Sequence, residues 1–304
     1  MNSSKKAAVF VLLGQSNAVG HSLPMLEEDK IKVPMKNVFG LCRNLNQSFY
    51  HDELFWNGYT SAGMNLAEEQ DDTYSVANCL AKAWQSEIDS GNPNDLPDLY
   101  IVHIAIGAQG VTEKYMWNPD YEKKLVPGRL ATVDISLFPF TIHILSLVKA
   151  SIEKLGKTPE IISVHWRGGE EENTVEKSKL QGRLKGIYEH IFDGFNSALG
   201  EKAKTVLHRI VCHECCAQLD PSGKMLENMN YINEVFYELA AENKNIKIFD
   251  VRNSPDYIPD VRGNGIFKGD LVHFTASVNA WVAQEIMKEY IDSKKKPFLQ
   301  EQTK

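Results

Sequence analysis

Short runs of apolar residues recur along the 304-residue chain, and they are apolar nearly throughout rather than alternating with polar positions. Runs of this kind are typical of β-strands that are covered on both faces of a sheet. All are rich in Val and Ile. The pattern predicts strands over residues 9–13, 99–106, 161–166, 206–212 and 246–251.

Helical patterns separate these strands, because apolar residues return every three or four positions between them. Gly91, Gly156 and Gly200 lie at or just beyond the ends of three of the segments, where a glycine commonly ends a helix. Thr275 is placed to cap the last helix. The pattern predicts helices over residues 74–88, 140–155, 175–199, 228–241 and 276–291.

Strands that alternate with helices in this order are typical of an α/β domain with a parallel sheet. We expect a three-layer α/β/α sandwich with about five strands, formed by one domain over residues 1–292 and followed by a polar tail at 293–304. Ligands bind at the carboxyl ends of the strands in such folds. The long connections at 25–64 and 113–137 are expected to form the walls of a substrate cleft.

Composition and charge exclude several classes of protein. The apolar fraction of 43% and the charged fraction of 24% are ordinary for a soluble globular domain. The net charge of −7, with scattered Lys and Arg, argues against a nucleic-acid partner. No apolar run of about eighteen residues is present, so no membrane span is expected.

The N-terminus and the cysteines suggest where the protein resides. The apolar run at 7–13 follows Lys5 and Lys6, but no clear cleavage site comes after it, so we interpret it as a first strand rather than a signal peptide. The five cysteines are an odd number in a chain that is too large to need disulfides for stability. We therefore expect a cytoplasmic protein.

A serine follows the first predicted strand directly, in the sequence Gly14-Gln15-Ser16-Asn17. A serine at this place lies where a substrate would bind, and nearby backbone N–H groups can face a developing oxyanion. A serine at a helix start can equally serve as its N-cap. The tetrapeptide alone therefore leaves both roles open.

A pair that could activate this serine lies near the other end of the chain, at Asp270 and His273. Serine is a poor nucleophile until a base takes its proton, and histidine titrates near neutral pH. A carboxylate on the second ring nitrogen fixes the tautomer. The three-residue spacing lets Asp270 turn back to the ring of His273. Taken alone, each residue would more often be structural.

Together these two blocks resemble the SGNH hydrolases, and more narrowly the sialic acid O-acetylesterase and acetylxylan esterase branch of that family. Two further blocks of the branch follow in the same order. Residues 106–112 with Trp117 match a glycine-rich block that leads to a tryptophan. Residues 165–170 match a Trp-x-Gln-Gly-Glu block, except that Gly168 stands where the family has glutamine.

The resemblance implies a flavodoxin-like fold and cofactor-free, two-step ester hydrolysis. Ser16 would be acylated, commonly by acetate, and His273 would then activate water. The family's oxyanion hole combines the serine N–H, a glycine N–H and a side-chain amide. The glycine role falls to Gly110, with Gly107 as second choice. The expected substrate is an acetyl ester of a small molecule or oligosaccharide.

The glycine at position 168 removes the side-chain donor that the family uses. Loss of one oxyanion donor costs about 100- to 1000-fold in rate. Either a substitute reaches the site or the enzyme is slower or altered in substrate. Gln109 and Arg167 are the candidates, and Gln109 is favoured because the nearby glycines allow its loop to approach the site closely. The alternative is that Gln109 faces solvent.

Other residues near the blocks are assigned lesser roles. Asn17 matches the first block and is expected to brace the nucleophile loop with Gln15. Glu170 matches the acid of the third block and is expected to orient the catalytic histidine or to hold a loop. We interpret His21 as a loop residue and residues 171–172 as a solvated charge run.

Some features remain open at this stage. Trp56, Trp117 and Trp166 could stack against a sugar, although tryptophans more often belong to the core. The segment 212–216 contains Cys-x-x-Cys and a histidine, but no second ligand pair accompanies it at a zinc-site spacing, so buried thiols and no metal are expected.

Two other functions remain as alternatives. One is a different short-chain acyl hydrolase on the same fold. The other is a non-catalytic glycan-binding protein, which the departure at Gly168 supports and which the set of Ser16, Asp270 and His273 opposes.

Overall fold

A seven-stranded sheet forms the centre of the protein. The computed structural model describes residues 5–21, 26–42, 53–68, 73–121, 136–211, 220–257 and 273–295. The strands are β1 (Lys6–Gly14), β2 (Val38–Leu41), β3 (Trp56–Gly58), β4 (Asp98–Ala105), β5 (Thr158–Arg167), β6 (Thr205–His208) and β7 (Ile246–Phe249).

The strands lie in the order β3-β2-β4-β1-β5-β6-β7, and every neighbouring pair is parallel except β2 with β3. The middle strand, β1, pairs with β4 on one side and with β5 on the other. Its residues from Ala7 to Leu13 are fully buried. The parallel sheet that the apolar runs predict is therefore confirmed.

The two extra strands correct the sequence interpretation. Both β2 and β3 lie inside the segment 25–64, which we expected to be a loop, so that expectation is wrong for residues 38–41 and 56–58. With four and three residues, they are too short to show a period, and Gly40 and Gly58 weaken the strand pattern further. β6 also ends at His208, before the predicted end at 212.

Helices cover both faces of the sheet. They are α1 (Ser16–Val19), α2 (Val76–Asp89), α3 (Leu137–Glu153), α4 (Lys177–Leu180), α5 (Leu184–Leu199), α6 (Lys224–Glu242) and α7 (Ala276–Lys295). Thr275 caps α7 as expected, since the N–H of Val278 donates to its Oγ1 at 3.4 Å. Among the helices described, none combines the length and the apolar character needed to cross a bilayer.

Alternate side chains of β1 point to different layers. Val11 and Leu13 pack in the cluster formed with α3, α5 and α6, whereas Phe10 and Leu12 pack with α1, α2 and α7. This is the alternation that a strand imposes on its side chains. The expected α/β/α sandwich is confirmed.

The predicted helix over 175–199 is wrong as one element. The structure divides it into α4 and α5, which are separated at Gly182. Gly182 has a φ of +74°, in the left-handed region that favours glycine. The apolar residues Leu180, Leu184 and Ile187 continue a helical spacing across this break. The apolar periodicity therefore predicts one continuous helix and gives no sign of the break at Gly182.

We expect Gly182→Ala to lower the free energy of unfolding by about 1 kcal/mol, because a Cβ is unfavourable at a left-handed φ. Gly186, four residues later within α5, is the matched control: no atom lies within 4 Å of an added Cβ at either position. Gly186→Ala should raise the free energy of unfolding by about 0.5–1 kcal/mol, since alanine favours the helix. Urea denaturation measures both. Changes of the same sign would contradict this account of the break.

Candidate active site

Ser16 is the first residue of α1, at the carboxyl end of the central strand. The N–H of the preceding residue, Gln15, donates to the carbonyl of Arg167 at 2.9 Å. The chain therefore leaves the sheet one residue before the serine. The Ser16 carbonyl accepts the N–H groups of Gly20 and His21. The N-cap position belongs to Gln15, which removes the alternative that Ser16 is the cap.

Hydrogen bonds join the first block to the second and third. Asn17 is buried, and its Nδ2 donates to Glu170 Oε1 at 2.8 Å across 153 residues of sequence. The indole N–H of Trp117 donates to the carbonyl of Gly14 at 3.1 Å. Three blocks that are remote in sequence therefore meet at the turn that carries Ser16.

His273 lies beside this turn. Its ring stands edge-on to the ring of His21, with 6.1 Å between their centroids, and the backbone N–H of His21 donates to the carbonyl of Ser16. Asp270 lies outside the described residues, as do residues 212–216. The structure thus places His273 beside His21, which is bonded to the turn that carries Ser16. The roles of His273 and Asp270 stay predictions.

His21 has more contacts than a simple loop residue. Its Nε2 lies 3.2 Å from Glu68 Oε1. The other oxygen of Glu68 accepts the N–H of Gly107 at 2.6 Å. Glu68 therefore links His21, just after the first block, to the second block. It also occupies the N–H of Gly107, which favours Gly110 as the glycine of an oxyanion hole.

The two possible replacements for the missing amide are held differently. Gln109 is half-buried, and its Oε1 accepts the N–H of Met116 at 3.1 Å, which leaves its Nε2 as the donor that the prediction requires. Arg167 is fully buried, and its Nη1 donates to Asn279 Oδ1 at 2.8 Å. Its guanidinium lies 5.3 Å from the ring centroid of Phe274. Which of the two meets an oxyanion stays a prediction.

Arg167 carries its charge inside the protein. Burial lowers the pKa of its guanidinium to about 10, while the negative charge of Glu170 acts in the opposite direction. Its Nε and Nη2 have no hydrogen-bond partner within the described part of the chain. The residue therefore carries a buried positive charge beside Phe274, and no direct ion pair among the described residues neutralises it.

The interpretation of residues 171–172 as a solvated charge run is wrong. Glu172 is fully buried, and its Oε1 accepts the N–H of Val111 at 2.6 Å. Glu171 is half-buried and accepts the hydroxyl of Tyr115 at 3.1 Å. Burial raises the pKa of Glu172 to about 8, against the opposing effect of backbone hydrogen bonds.

For two of the three tryptophans, the structure decides between a sugar-stacking surface and the core. Trp117 and Trp166 are fully buried and pack edge-to-face with ring centroids 5.0 Å apart. They belong to the core and cannot stack against a sugar. Trp56 is half-buried on the edge strand β3, where its indole N–H donates to Ser151.

Comparison with known proteins identifies the fold. No protein-family model and no curated protein matches the chain. The crystal structure of NanS is similar over 98% of this chain and 100% of that one, with a TM-score of 0.61 and 16% identity. This similarity confirms the fold that the four blocks implied.

Two other solved structures are similar at a lower level. The carbohydrate acetylesterase XAC1771 from Xanthomonas citri matches over 91% of this chain and 54% of that one, with a TM-score of 0.45 and 12% identity. The inhibitor-bound aryl esterase of M. smegmatis matches over 93% and 99%, with a TM-score of 0.42 and 10% identity.

We expect Glu172 to make stability depend on pH. Because its pKa is raised in the folded state, the folded protein holds a proton that the unfolded chain releases between about pH 4.5 and pH 8. Stability should therefore fall as pH rises through this window, at up to about 1.4 kcal/mol per pH unit. Glu172→Gln should remove this part of the slope.

Chemical denaturation of the wild type and of Glu172→Gln at several pH values measures the difference. Glu176→Gln is the matched control, because Glu176 is exposed in the same segment. Its curve should run parallel to that of the wild type. A parallel curve for Glu172→Gln as well would show that Glu172 does not titrate in this range.

Proposed function

We propose that the protein is a serine esterase that hydrolyses O-acetyl esters, with a carbohydrate such as sialic acid or an acetylated glycan as the alcohol part. The observation that carries the proposal is the convergence at Ser16. The nucleophile turn is hydrogen-bonded to the second block through Trp117 and to the third through Glu170, and the ring of His273 lies beside it. The fold shared with NanS supports the same class.

The chemistry begins when Ser16 Oγ attacks the ester carbonyl carbon and His273 takes its proton. Asp270 holds the imidazole in the tautomer that can accept it. The oxyanion that forms is stabilised by the N–H groups of Ser16 and Gly110 and by the amide of Gln109. The C–O bond to the alcohol then breaks, and the proton on His273 goes to the departing alkoxide.

The second half of the reaction restores the enzyme. Water attacks the acetyl carbonyl on Ser16 while His273 takes one of its protons. The same N–H groups stabilise the second oxyanion. Its collapse breaks the bond to Ser16 Oγ, which recovers its proton from His273, and acetate leaves.

The environment of Ser16 suits this chemistry. Only 9% of the residue is exposed, so hydrogen bonds to a developing charge would be made in a medium of low dielectric constant. The sugar part of the proposal depends on the resemblance of the four sequence blocks, since Trp117 and Trp166 offer no stacking surface.

Ser16→Ala should abolish hydrolysis of p-nitrophenyl acetate, because no other residue of the proposed site supplies the nucleophile. The wild type should hydrolyse the acetate faster than the butyrate. Ser86→Ala, an exposed serine of α2, is the matched control and should keep full activity. Release of p-nitrophenol measures all three proteins.

Other outcomes would favour the alternatives. Faster hydrolysis of the butyrate would indicate a different acyl hydrolase on the same fold. No hydrolysis of either ester or of acetylated sialic acid by the wild type would favour a glycan-binding protein. Activity that survives in Ser16→Ala would remove this serine from the mechanism.

Gln109→Glu tests the replacement donor. The glutamate keeps an oxygen that can accept the N–H of Met116, but it puts an acceptor where the donor is required. We expect kcat to fall by about 100-fold or more, as when an oxyanion donor is lost. Steady-state kinetics should show the same fall for Gln109→Ala. Unchanged kcat in both variants would exclude Gln109 and leave Arg167 as the candidate.

A further inference from the structure

A buried carboxyl group lies directly beneath the loop that carries Gly110. Glu172 Oε1 accepts the N–H of Val111, and the N–H of Thr112 bonds to the same carboxyl group. A Cβ added to Gly110 would lie 2.0 Å from Glu172 Oε1. The carboxyl group therefore occupies the space that any larger residue at position 110 would need.

Further contacts fix the same loop from its other side. Asn118 Nδ2 donates to the carbonyl of Val111 at 2.7 Å. The peptide unit between Val111 and Thr112 is thus held at its carbonyl by Asn118 and at its N–H by Glu172. Gln109 precedes this segment and Met116 follows it, and Gln109 Oε1 accepts the N–H of Met116. The backbone at Gly110 is held between these anchors.

We propose that Glu172 is a positioning residue for the oxyanion hole: it holds residues 110–112 so that the Gly110 N–H meets the oxyanion, and it does so as an uncharged carboxylic acid. The inference rests on the proposed function, because it takes Gly110 as an oxyanion donor and Ser16 as the nucleophile. It adds a residue outside the four sequence blocks.

The surroundings of Glu172 explain why its uncharged form is the useful one. The groups that interact with its charge are acidic or neutral: Glu171 from its own segment and Tyr188 from α5. The charge of Glu171 adds to the effect of burial in raising the pKa of Glu172. From α6, the uncharged Asn228 donates to the carbonyls of Asn173 and Val175, just after Glu172 in the chain.

A charged Glu172 would oppose catalysis. The carboxyl oxygen lies next to Gly110, so a negative charge on it would repel the oxyanion that the Gly110 N–H is meant to stabilise. The neutral acid keeps an oxygen that accepts the two backbone N–H groups and adds no such repulsion. The rate should therefore fall when Glu172 ionises at alkaline pH.

Two substitutions separate anchoring from charge. Glu172→Ala removes the anchor, and kcat should fall about 10- to 100-fold with KM changed less than about threefold, because the donor is needed mainly in the transition state. Glu172→Gln keeps an acceptor oxygen and cannot ionise. The wild-type kcat should fall about tenfold by one pH unit above the titration of Glu172, and Glu172→Gln should lack that fall.

Hydrogen exchange gives a readout that does not depend on catalysis. Amides of residues 107–118 should exchange faster in Glu172→Ala than in the wild type, while Glu176→Gln, the exposed control, should match the wild type in exchange and in kinetics. Unchanged exchange in Glu172→Ala would overturn the anchoring role. If Glu172→Ala does not fold, the pH profile of Glu172→Gln decides, and an alkaline limb identical to that of the wild type would overturn the proposal.

The outcomes distinguish this inference from the proposed function. If Ser16→Ala loses activity and Glu172→Ala keeps the wild-type kcat, the esterase stands and the positioning role falls. If Ser16→Ala keeps activity, the proposed nucleophile is wrong and the role of Glu172 in its oxyanion hole falls with it. Support for both requires loss of activity in Ser16→Ala, the changed exchange, and the altered pH profile.

Discussion

The pairing of β1 between β4 and β5 is the constraint on which the site depends. A strand that is hydrogen-bonded on both sides and buried on both faces ends at a fixed point, and here the last sheet-like bond joins Gln15 to the carbonyl of Arg167. Ser16 follows at once. The neighbouring strands end at the same edge, so Trp117 and Glu170 are hydrogen-bonded to Gly14 and Asn17, on the two sides of Ser16.

This constraint explains which parts of the molecule could be predicted from the sequence. Long apolar strands must be buried, and their order of alternation with helices fixes a parallel sheet, so β1, β4 and β5 and the residues after them could be found. β2 and β3 hold only four and three residues and each contains a glycine, so they give no such signal and both were missed. The break at Gly182 was missed because apolar residues on both sides keep the helical period. Backbone conformation, rather than hydrophobicity, decides that boundary.

The candidate site shows the same division between local and tertiary information. Ser16, Asn17 and Glu170 could be found because their blocks are local sequence patterns. Glu172 could not, since three successive glutamates favour a solvated segment. Its burial depends on the backbone N–H of Val111, 61 residues earlier in the chain. This N–H donates to one carboxyl oxygen and so offsets the cost of burying that polar atom. Gly110, 62 residues earlier, leaves room for the carboxyl group of Glu172. Neither Gly110 nor Val111 can be inferred as a partner from the sequence of the glutamate segment alone.

The departure at Gly168 is part of the packing around the site. A Cβ at this position would lie 3.2 Å from the indole of Trp166, whose N–H donates to the carbonyl of Gly168 at 3.1 Å. Trp166 in turn packs on Trp117, which bonds the strand end at Gly14. A side chain at position 168 would therefore press on the core that supports the nucleophile turn. An oxyanion hole without that side chain has to rely more on backbone N–H groups, and backbone donors are only as well placed as the loop that carries them. We therefore infer that the anchoring of residues 110–112 sets the efficiency of the proposed oxyanion hole.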